Sequence, residues 1–183
     1  MSFFSLHKDN GFTLIELLIT LAIAGILFSL AVPTFSQVFA KNQQQTTLYR
    51  LFSHHQLASS EAIKTNQIVI LCKSTDGNQC SKQAEWTDGW LIFADHDNNK
   101  KLDGNDRIIY TQSALNNNLS LSYRGFGSHN YVRYFPDGHT TSNGTFTLCN
   151  QQGEIYSKAL IISRTGRARI DNRAPGNKAL QCS

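Results

Sequence analysis

Hydrophobic and polar positions along this chain follow two different periods. Residues 12–32 are almost wholly apolar, and apolar positions then recur at three- and four-residue steps as far as about residue 64. Beyond that point the apolar residues come in short runs, separated by turns rich in Gly, Asn, Asp and Pro. The pattern predicts one long helix over residues 12–64 and a β-rich head over residues 65–183.

The short apolar runs of the head predict strands. One of them, Leu-Ser-Leu-Ser-Tyr at residues 119–123, alternates as a half-buried strand should. Several short strands that follow one long helix favour an α+β fold, with antiparallel sheets of a globular head packed on the helix. The runs occupy residues 68–72, 90–94, 107–111, 119–123, 131–135, 145–149 and 158–163.

The apolar segment at residues 12–32 is long enough to cross a bilayer, since about 1.5 Å of rise per residue gives about 30 Å. An ordinary secretory signal has a shorter apolar region that is followed by a small-residue cleavage site. Here the small residue, Gly11, precedes the apolar run. Cleavage after Gly11 would remove residues 1–11 as a leader and leave a membrane-spanning helix on the mature protein.

Glu16 interrupts the apolar segment. A carboxylate in a membrane helix costs about 2.5 kcal/mol or more toward the bilayer centre, so it should have a partner or a purpose. Cleavage after Gly11 would create a cationic amine on Phe12, four residues away. Between neighbouring helices of a filament, that pair would fix the register. The alternative is a carboxylate that reaches the lipid headgroups.

The sequence Gly-Phe-Thr-Leu-Ile-Glu at residues 11–16, followed by an apolar helix, resembles the class III signal of type IV pilins and type II secretion pseudopilins. The resemblance implies that a prepilin peptidase cuts after Gly11, that the new terminus Phe12 is methylated, and that Glu16 acts in assembly with other pilins. It also implies a single-pass inner-membrane protein with a periplasmic head, which later enters an extracellular pilus fibre or its tip.

Four cysteines indicate two disulfides if the chain leaves the cytoplasm. Of the three possible pairings, we favour Cys72–Cys80, which closes a short polar loop, and Cys149–Cys182, which ties down the C-terminal tail. No pair of cysteines has the spacing of zinc ligands.

Positive charge is concentrated at the C-terminal end. The formal net charge is +4, yet residues 157–183 contain six Lys and Arg side chains against one acidic side chain, which leaves −1 for the rest of the chain. Clustered charge of one sign points to an anionic partner, such as nucleic acid or lipid headgroups.

The basic segment reads as a hairpin, with a strand at residues 158–163, a turn at residues 164–166 and a returning strand at residues 167–170. Period two places Arg167 and Arg169 on one face, about 7 Å apart, and the intervening apolar side chains toward the core. Two guanidiniums so placed can bind adjacent phosphates without reading sequence. Gly166 would allow the turn to close, and the predicted outer contacts are Arg164, Lys158 and Arg173.

A second resemblance rests on Gly-Arg-Ala-Arg at residues 166–169, which is similar to the G-R-x-R motif of the FimT branch of the FimT/GspH minor pilins. Asp-Gly-Trp at residues 88–90 and the head around it also resemble that family. The FimT likeness implies nonspecific binding of double-stranded DNA during natural transformation. Because GspH-type members belong to type II secretion, a structural pseudopilin that primes assembly without DNA is the alternative. Adhesion to other polyanions is a third hypothesis.

The sequence signals for a metal site or a catalytic site are weaker than those for the basic hairpin. Residues 95–106 carry oxygen side chains at alternate positions, as calcium loops do, but Lys100 stands where an EF-hand needs Gly, so we predict a polar loop without metal. Adjacent His54 and His55 diverge by about 100° on a helix, and we predict that they lie on the solvated surface. No catalytic or cofactor motif is present, so we predict a protein that is not an enzyme and has no cofactor.

Overall fold

The structure of the protein, a computed structural model, describes residues 11–150 and 157–182, without the side chains of residues 29–37. Residues 1–10 of the predicted leader and the side chains at the end of the predicted span lie outside this description. The chain divides into two compact units, one ending at Phe39 and the other running from Ala40.

One helix, α1, extends over Leu14–Thr65 and continues through Pro33. The predicted bounds, residues 12–64, differ from these by one or two residues. In the first unit the large apolar side chains at residues 12–28 are exposed, with Phe12 at 88%. Within the described part of the chain, no helix combines the length and apolarity that a membrane crossing requires.

In the second unit, α1 buries a face whose side chains follow the predicted helical period. Leu48, Leu51, Ala58 and Ala62 are all buried there. The helix ends with Asn66 in the left-handed region at φ 52°, while the N–H of the next residue donates to the carbonyl of Ala62 at 3.3 Å. This is the hydrogen bond of a Schellman cap, which satisfies a carbonyl that the helix end would otherwise leave open.

In the part of the chain that the structure describes, eight strands form two four-stranded antiparallel sheets. Every predicted strand is present, with bounds that differ by one or two residues. A short 3-10 helix at Trp86–Asp88 was not predicted. The first sheet has the order β3-β2-β1-β5 and consists of β1 (Ile68–Lys73), β2 (Trp90–Asp95), β3 (Arg107–Gln112) and β5 (Tyr131–Tyr134). The second sheet has the order β4-β6-β7-β8 and consists of β4 (Leu119–Gly125), β6 (Gly144–Asn150), β7 (Lys158–Ile162) and β8 (Ala168–Asp171).

The main core, which is the larger of two hydrophobic clusters among the described residues, contains side chains of α1 and of both sheets. It contains Leu51 of α1, Trp90 of the first sheet, Phe146 and Leu160 of the second, and Trp86 between the strands. The rings of Trp86 and Phe146 meet edge to face at 4.8 Å, an arrangement that aromatic pairs favour. The predicted α+β fold, a long helix packed on an antiparallel β head, is confirmed.

Two disulfides cross-link the head. Cys72 is joined to Cys80, and Cys149 to Cys182, which are the pairs favoured from sequence. The second disulfide fixes the C-terminal tail near β6, and the Arg124 guanidinium of β4 donates to the side-chain carbonyl of Gln181 at 3.0 Å. The tail therefore crosses the face of the second sheet that points away from the core.

The loop at residues 95–106 satisfies most of its carboxylates internally. Both oxygens of Asp95 accept backbone N–H groups at 3.1 Å, and Asp106 accepts the N–H of His96 at 2.9 Å. Lys100, where an EF-hand has Gly, adopts φ 64°. One carboxylate oxygen each from Asp95, Asp97 and Asp106 lies within 4.8 Å of the others, a spacing that a cation could bridge.

Candidate nucleic-acid interface

We use "basic hairpin" for residues 158–171, which comprise β7, β8 and the turn between them. The turn is closed by two backbone hydrogen bonds, from Ser163 N–H to the Arg167 carbonyl at 2.9 Å and from Gly166 N–H to the Ser163 carbonyl at 3.0 Å. Because Arg167 takes part in this closure, β8 begins at Ala168. The predicted returning strand, residues 167–170, was therefore placed one residue too early.

The side chains of β8 are charged on one face of the strand and apolar on the other. Ala168 and Ile170 pack against the main core, as the alternation predicts. Arg167 and Arg169 are exposed, and Arg169 pairs in register with Ile161 of β7. The Nε atom of Arg169 lies 3.5 Å from a carboxylate oxygen of Asp171, but both groups are exposed, so this ion pair contributes little.

The other predicted basic residues spread along the same hairpin. Arg164 is exposed in the turn, Lys158 is half-buried at the start of β7, and Arg173 is exposed just after β8. The register places Ala159 opposite Asp171, so Lys158 and Arg173 lie at the end of the hairpin away from the turn. In the described chain, the guanidiniums of Arg164 and Arg167 have no hydrogen-bond or ion-pair partner.

Gly166 is held from two sides. Its φ is +73°, and a Cβ added there would lie 2.0 Å from the carbonyl oxygen of Gly138, in the loop between β5 and β6. Its own carbonyl oxygen lies 3.0 Å from the Nε2 atom of His55 in α1. The backbone N–H of Thr140 also donates to the Arg164 carbonyl at 2.9 Å. The turn is therefore fixed by both the helix and a neighbouring loop.

His54 and His55 correct the sequence analysis, which placed them on the solvated surface. They are only 7% and 2% exposed. His54 accepts the indole N–H of Trp90 at 3.1 Å, and the Nδ1 atom of His55 lies 2.8 Å from the Tyr134 hydroxyl. His54 and His55 follow Leu51 by three and four residues, which is the spacing of side chains on one face of a helix. Their burial could therefore have been predicted from the sequence. The core simply covers a wider arc of α1 than the apolar residues alone mark.

The contacts of His55 determine its neutral tautomer. A carbonyl oxygen only accepts hydrogen bonds, so Nε2 carries the proton that is donated to Gly166. The Nδ1 atom then accepts from the hydroxyl of Tyr134. Neutral His55 thus connects the core to the backbone of the basic turn.

Acid should destabilise the head through these two histidines. Burial is the main cause that lowers the pKa of each from 6.5 to about 4, and the charge of Arg50 adds to the effect on His54. The unfolded chain takes up protons near pH 6.5 while the native head stays neutral until about pH 4. The stability that the two neutral histidines contribute is therefore complete above about pH 6.5 and is lost as pH falls toward 4. For His55 the loss is up to about 3 kcal/mol.

Urea denaturation across this pH range would measure the loss. His55→Gln should flatten the dependence of stability on pH between about pH 6.5 and about pH 4.5. An unaltered slope in His55→Gln would contradict the assignment.

Two protein-family models match the chain. "Type II transport protein GspH" matches residues 48–166, which include most of the head and the turn of the basic hairpin. "Prokaryotic N-terminal methylation motif" matches residues 6–32, which include the predicted cleavage site.

Two individual proteins of similar sequence carry the names of a pilin-like and a fimbrial protein. The chain is 30% identical over 166 residues to the pilin-like protein PilA1 of Thermus thermophilus, covering 88% of this chain and 98% of that one. Over 48 residues, 26% of this chain and 30% of the relative, it is 46% identical to the fimbrial protein EcpB of Eikenella corrodens.

Solved structures share the fold. The type IV minor pilin FimU of Pseudomonas aeruginosa gives a TM-score of 0.57 at 17% identity, covering 75% of this chain and 96% of that one. The minor pseudopilin EpsH of the Vibrio cholerae type 2 secretion system gives 0.52 at 14% identity, covering 73% and 98%. The chain belongs to the GspH family of pilin-like proteins.

Proposed function

We propose that this protein is a minor type IV pilin of the FimT branch, whose basic hairpin binds double-stranded DNA nonspecifically for uptake in natural transformation. One observation carries the proposal most directly. The turn presents the guanidiniums of Arg164 and Arg167 to solvent on a backbone that the helix and a neighbouring loop hold in place. A rigid backbone lowers the entropy that is lost when a charged side chain is ordered on its ligand.

The chemistry of these groups fits phosphate. Guanidiniums bind phosphate oxygens in a bidentate geometry and remain charged at any physiological pH. Arg169 extends the positive surface along β8, and Lys158 and Arg173 extend it to the far end of the hairpin. Contacts of this kind give affinity and salt dependence without sequence preference.

We further propose that a prepilin peptidase cuts after Gly11 and that Phe12 becomes the methylated terminus. The match of residues 6–32 to the N-terminal methylation motif supports this processing. The helix would then hold the protein in the inner membrane, with its head in the periplasm, until it joins other pilins in the fibre or its tip.

The test of DNA binding is a double substitution, Arg167→Gln with Arg169→Gln, in the full chain solubilised in non-ionic detergent. If the head neutralises about four phosphates, the logarithm of affinity for duplex DNA should fall with that of salt at a slope near −3.6. The double variant should lose roughly two units of that slope, together with affinity, for any DNA sequence. A mobility shift over a series of salt concentrations measures both quantities.

The matched control removes the same charge elsewhere on the head. Lys100→Gln with Lys101→Gln alters two exposed cations in the loop between β2 and β3, on the other sheet. This control variant should bind duplex DNA with most of the affinity of the unaltered protein. Equal binding by all three folded proteins would defeat the proposal.

The second candidate function is a structural pseudopilin that primes assembly without DNA, because the GspH-family match and the EpsH fold accommodate it equally well. Under the DNA proposal, the Arg167 and Arg169 double variant lowers transformation frequency while pili still assemble. Loss of assembly in that variant would instead favour the structural role.

A further inference from the structure

A surface pocket opens beside the basic turn. It has a volume of about 340 Å³ and is lined by Phe126, Thr141, Asn143 and Arg164. Phe126 is 76% exposed, the largest fraction among the large apolar side chains of described residues 40–182. Single exposed apolar side chains are common on protein surfaces. Phe126, however, shares its pocket with one basic and two polar residues, Arg164, Asn143 and Thr141.

The backbone beneath the pocket is held by hydrogen bonds. The N–H of Phe126 donates to the Asn143 carbonyl at 2.8 Å, and the Arg164 carbonyl accepts the N–H of Thr140 at 2.9 Å. The buried hydroxyl of Tyr123 donates to the carbonyl of Ser142. Three separate loops therefore meet in a fixed arrangement, and each contributes a side chain to the pocket.

We infer that this pocket stacks one unpaired nucleobase of a DNA strand on Phe126 while Arg164 contacts the adjoining phosphate. The inference rests on the proposed function and adds, to the phosphate contacts with duplex DNA, a contact with a base that is unpaired, as at a strand end. Every base has a π face, so stacking on an aromatic ring tolerates any sequence. The Asn143 amide offers both a donor and an acceptor to the edge of a base.

The size and charge of the pocket favour this ligand. Its volume of about 340 Å³ is at the lower end of small-molecule pockets, which suits a single base. An apolar side chain of a neighbouring pilin could also contact Phe126. That occupant would bury Arg164 without a partner, which is costly, whereas a nucleotide supplies its own phosphate.

The test compares two single strands of equal length, oligothymidylate and an abasic strand with the same phosphates. The full chain in non-ionic detergent should bind oligothymidylate about fivefold or more tightly, because stacking of one base on an aromatic ring is worth at least that factor. Phe126→Leu keeps an apolar side chain without a π face and should abolish the preference. Its salt slope should stay unchanged because no charge is altered.

Phe126→Trp provides a positive control. It should keep the preference, and its indole fluorescence should be quenched by oligothymidylate more than by the abasic strand. Thermal unfolding should be the same for both variants and the unaltered protein, since the ring of Phe126 is exposed.

The possible outcomes distinguish failure of the base-stacking inference from failure of the proposed DNA-binding function. Equal affinity for the two strands, or a preference that survives Phe126→Leu, overturns base stacking. The proposed function still stands in that case if the Arg167 and Arg169 double variant loses roughly two units of the salt slope. Absence of binding to any nucleic acid overturns both. Loss of pilus incorporation in Phe126→Leu, without an effect on strand preference, assigns the pocket to a pilin partner instead.

Discussion

Gly166→Ala is expected to lower the free energy of unfolding of the head by about 2–5 kcal/mol. The left-handed conformation at φ +73° costs an L-residue about 1–2 kcal/mol. In addition, the new Cβ would lie 2.0 Å from the carbonyl oxygen of Gly138, a backbone atom that cannot rotate away. Relief requires the turn to move, and overpacking of this kind typically costs about 1–3 kcal/mol more.

Gly176→Ala is the matched control. Gly176 has φ +77° but nothing within 4 Å of its Cβ position, so only the conformational cost remains. Urea denaturation of both variants would give the difference between their losses of stability. That difference measures the cost of the close approach to Gly138. Gly166→Ala should also weaken DNA binding more than the control does, because the shift carries Arg167 with it. Equal losses of stability would show that the contact with Gly138 is unimportant.

Glu16→Ala is expected to prevent incorporation of the protein into pili without unfolding the head. The structure adds a feature that the charge-pairing hypothesis lacked. A carboxylate oxygen of Glu16 accepts the backbone N–H of Thr13 at 3.0 Å and its hydroxyl at 2.8 Å, just before α1 begins. This resembles a capping box, in which Ser or Thr is followed three residues later by Glu or Gln. Removal of Glu16 therefore removes both a charge and part of a helix cap.

Glu16→Gln separates the two roles, because Gln can complete a capping box but has no charge. If pairing with the amine of a neighbouring Phe12 drives assembly, both variants should be absent from sheared pili while present in membranes. Immunoblots of the two fractions would measure this. Normal incorporation of Glu16→Gln, with loss only in Glu16→Ala, would assign the role to the cap and contradict charge pairing. Melting of the head should not change, since Glu16 lies in the other compact unit.

Local pattern was sufficient to predict the long helix and the strands, but not the short 3-10 helix at Trp86–Asp88. All eight strands were predicted to within one or two residues, because alternation marks a half-buried strand and Gly, Asn, Asp and Pro mark the turns. The spacing of Thr13 and Glu16 is also that of a capping box, although this cap was not predicted. The histidines at 54 and 55 were misplaced because polar side chains were excluded from the helical period, although both occupy its buried arc.

The sequence by itself determined that a long helix precedes a β head, that arginines alternate with apolar residues at the end of the chain, and that Gly166 lies in a turn. Each property depends on neighbours within a few residues. Only the tertiary structure decided that β1 pairs with β5, that Gly166 meets Gly138, and that His55 reaches the Gly166 carbonyl across 111 residues of sequence. An apolar period specifies which face of an element is buried, but many partners of similar size could cover that face. The complete packing of the core selects among them, and the same packing places Phe126 beside Arg164.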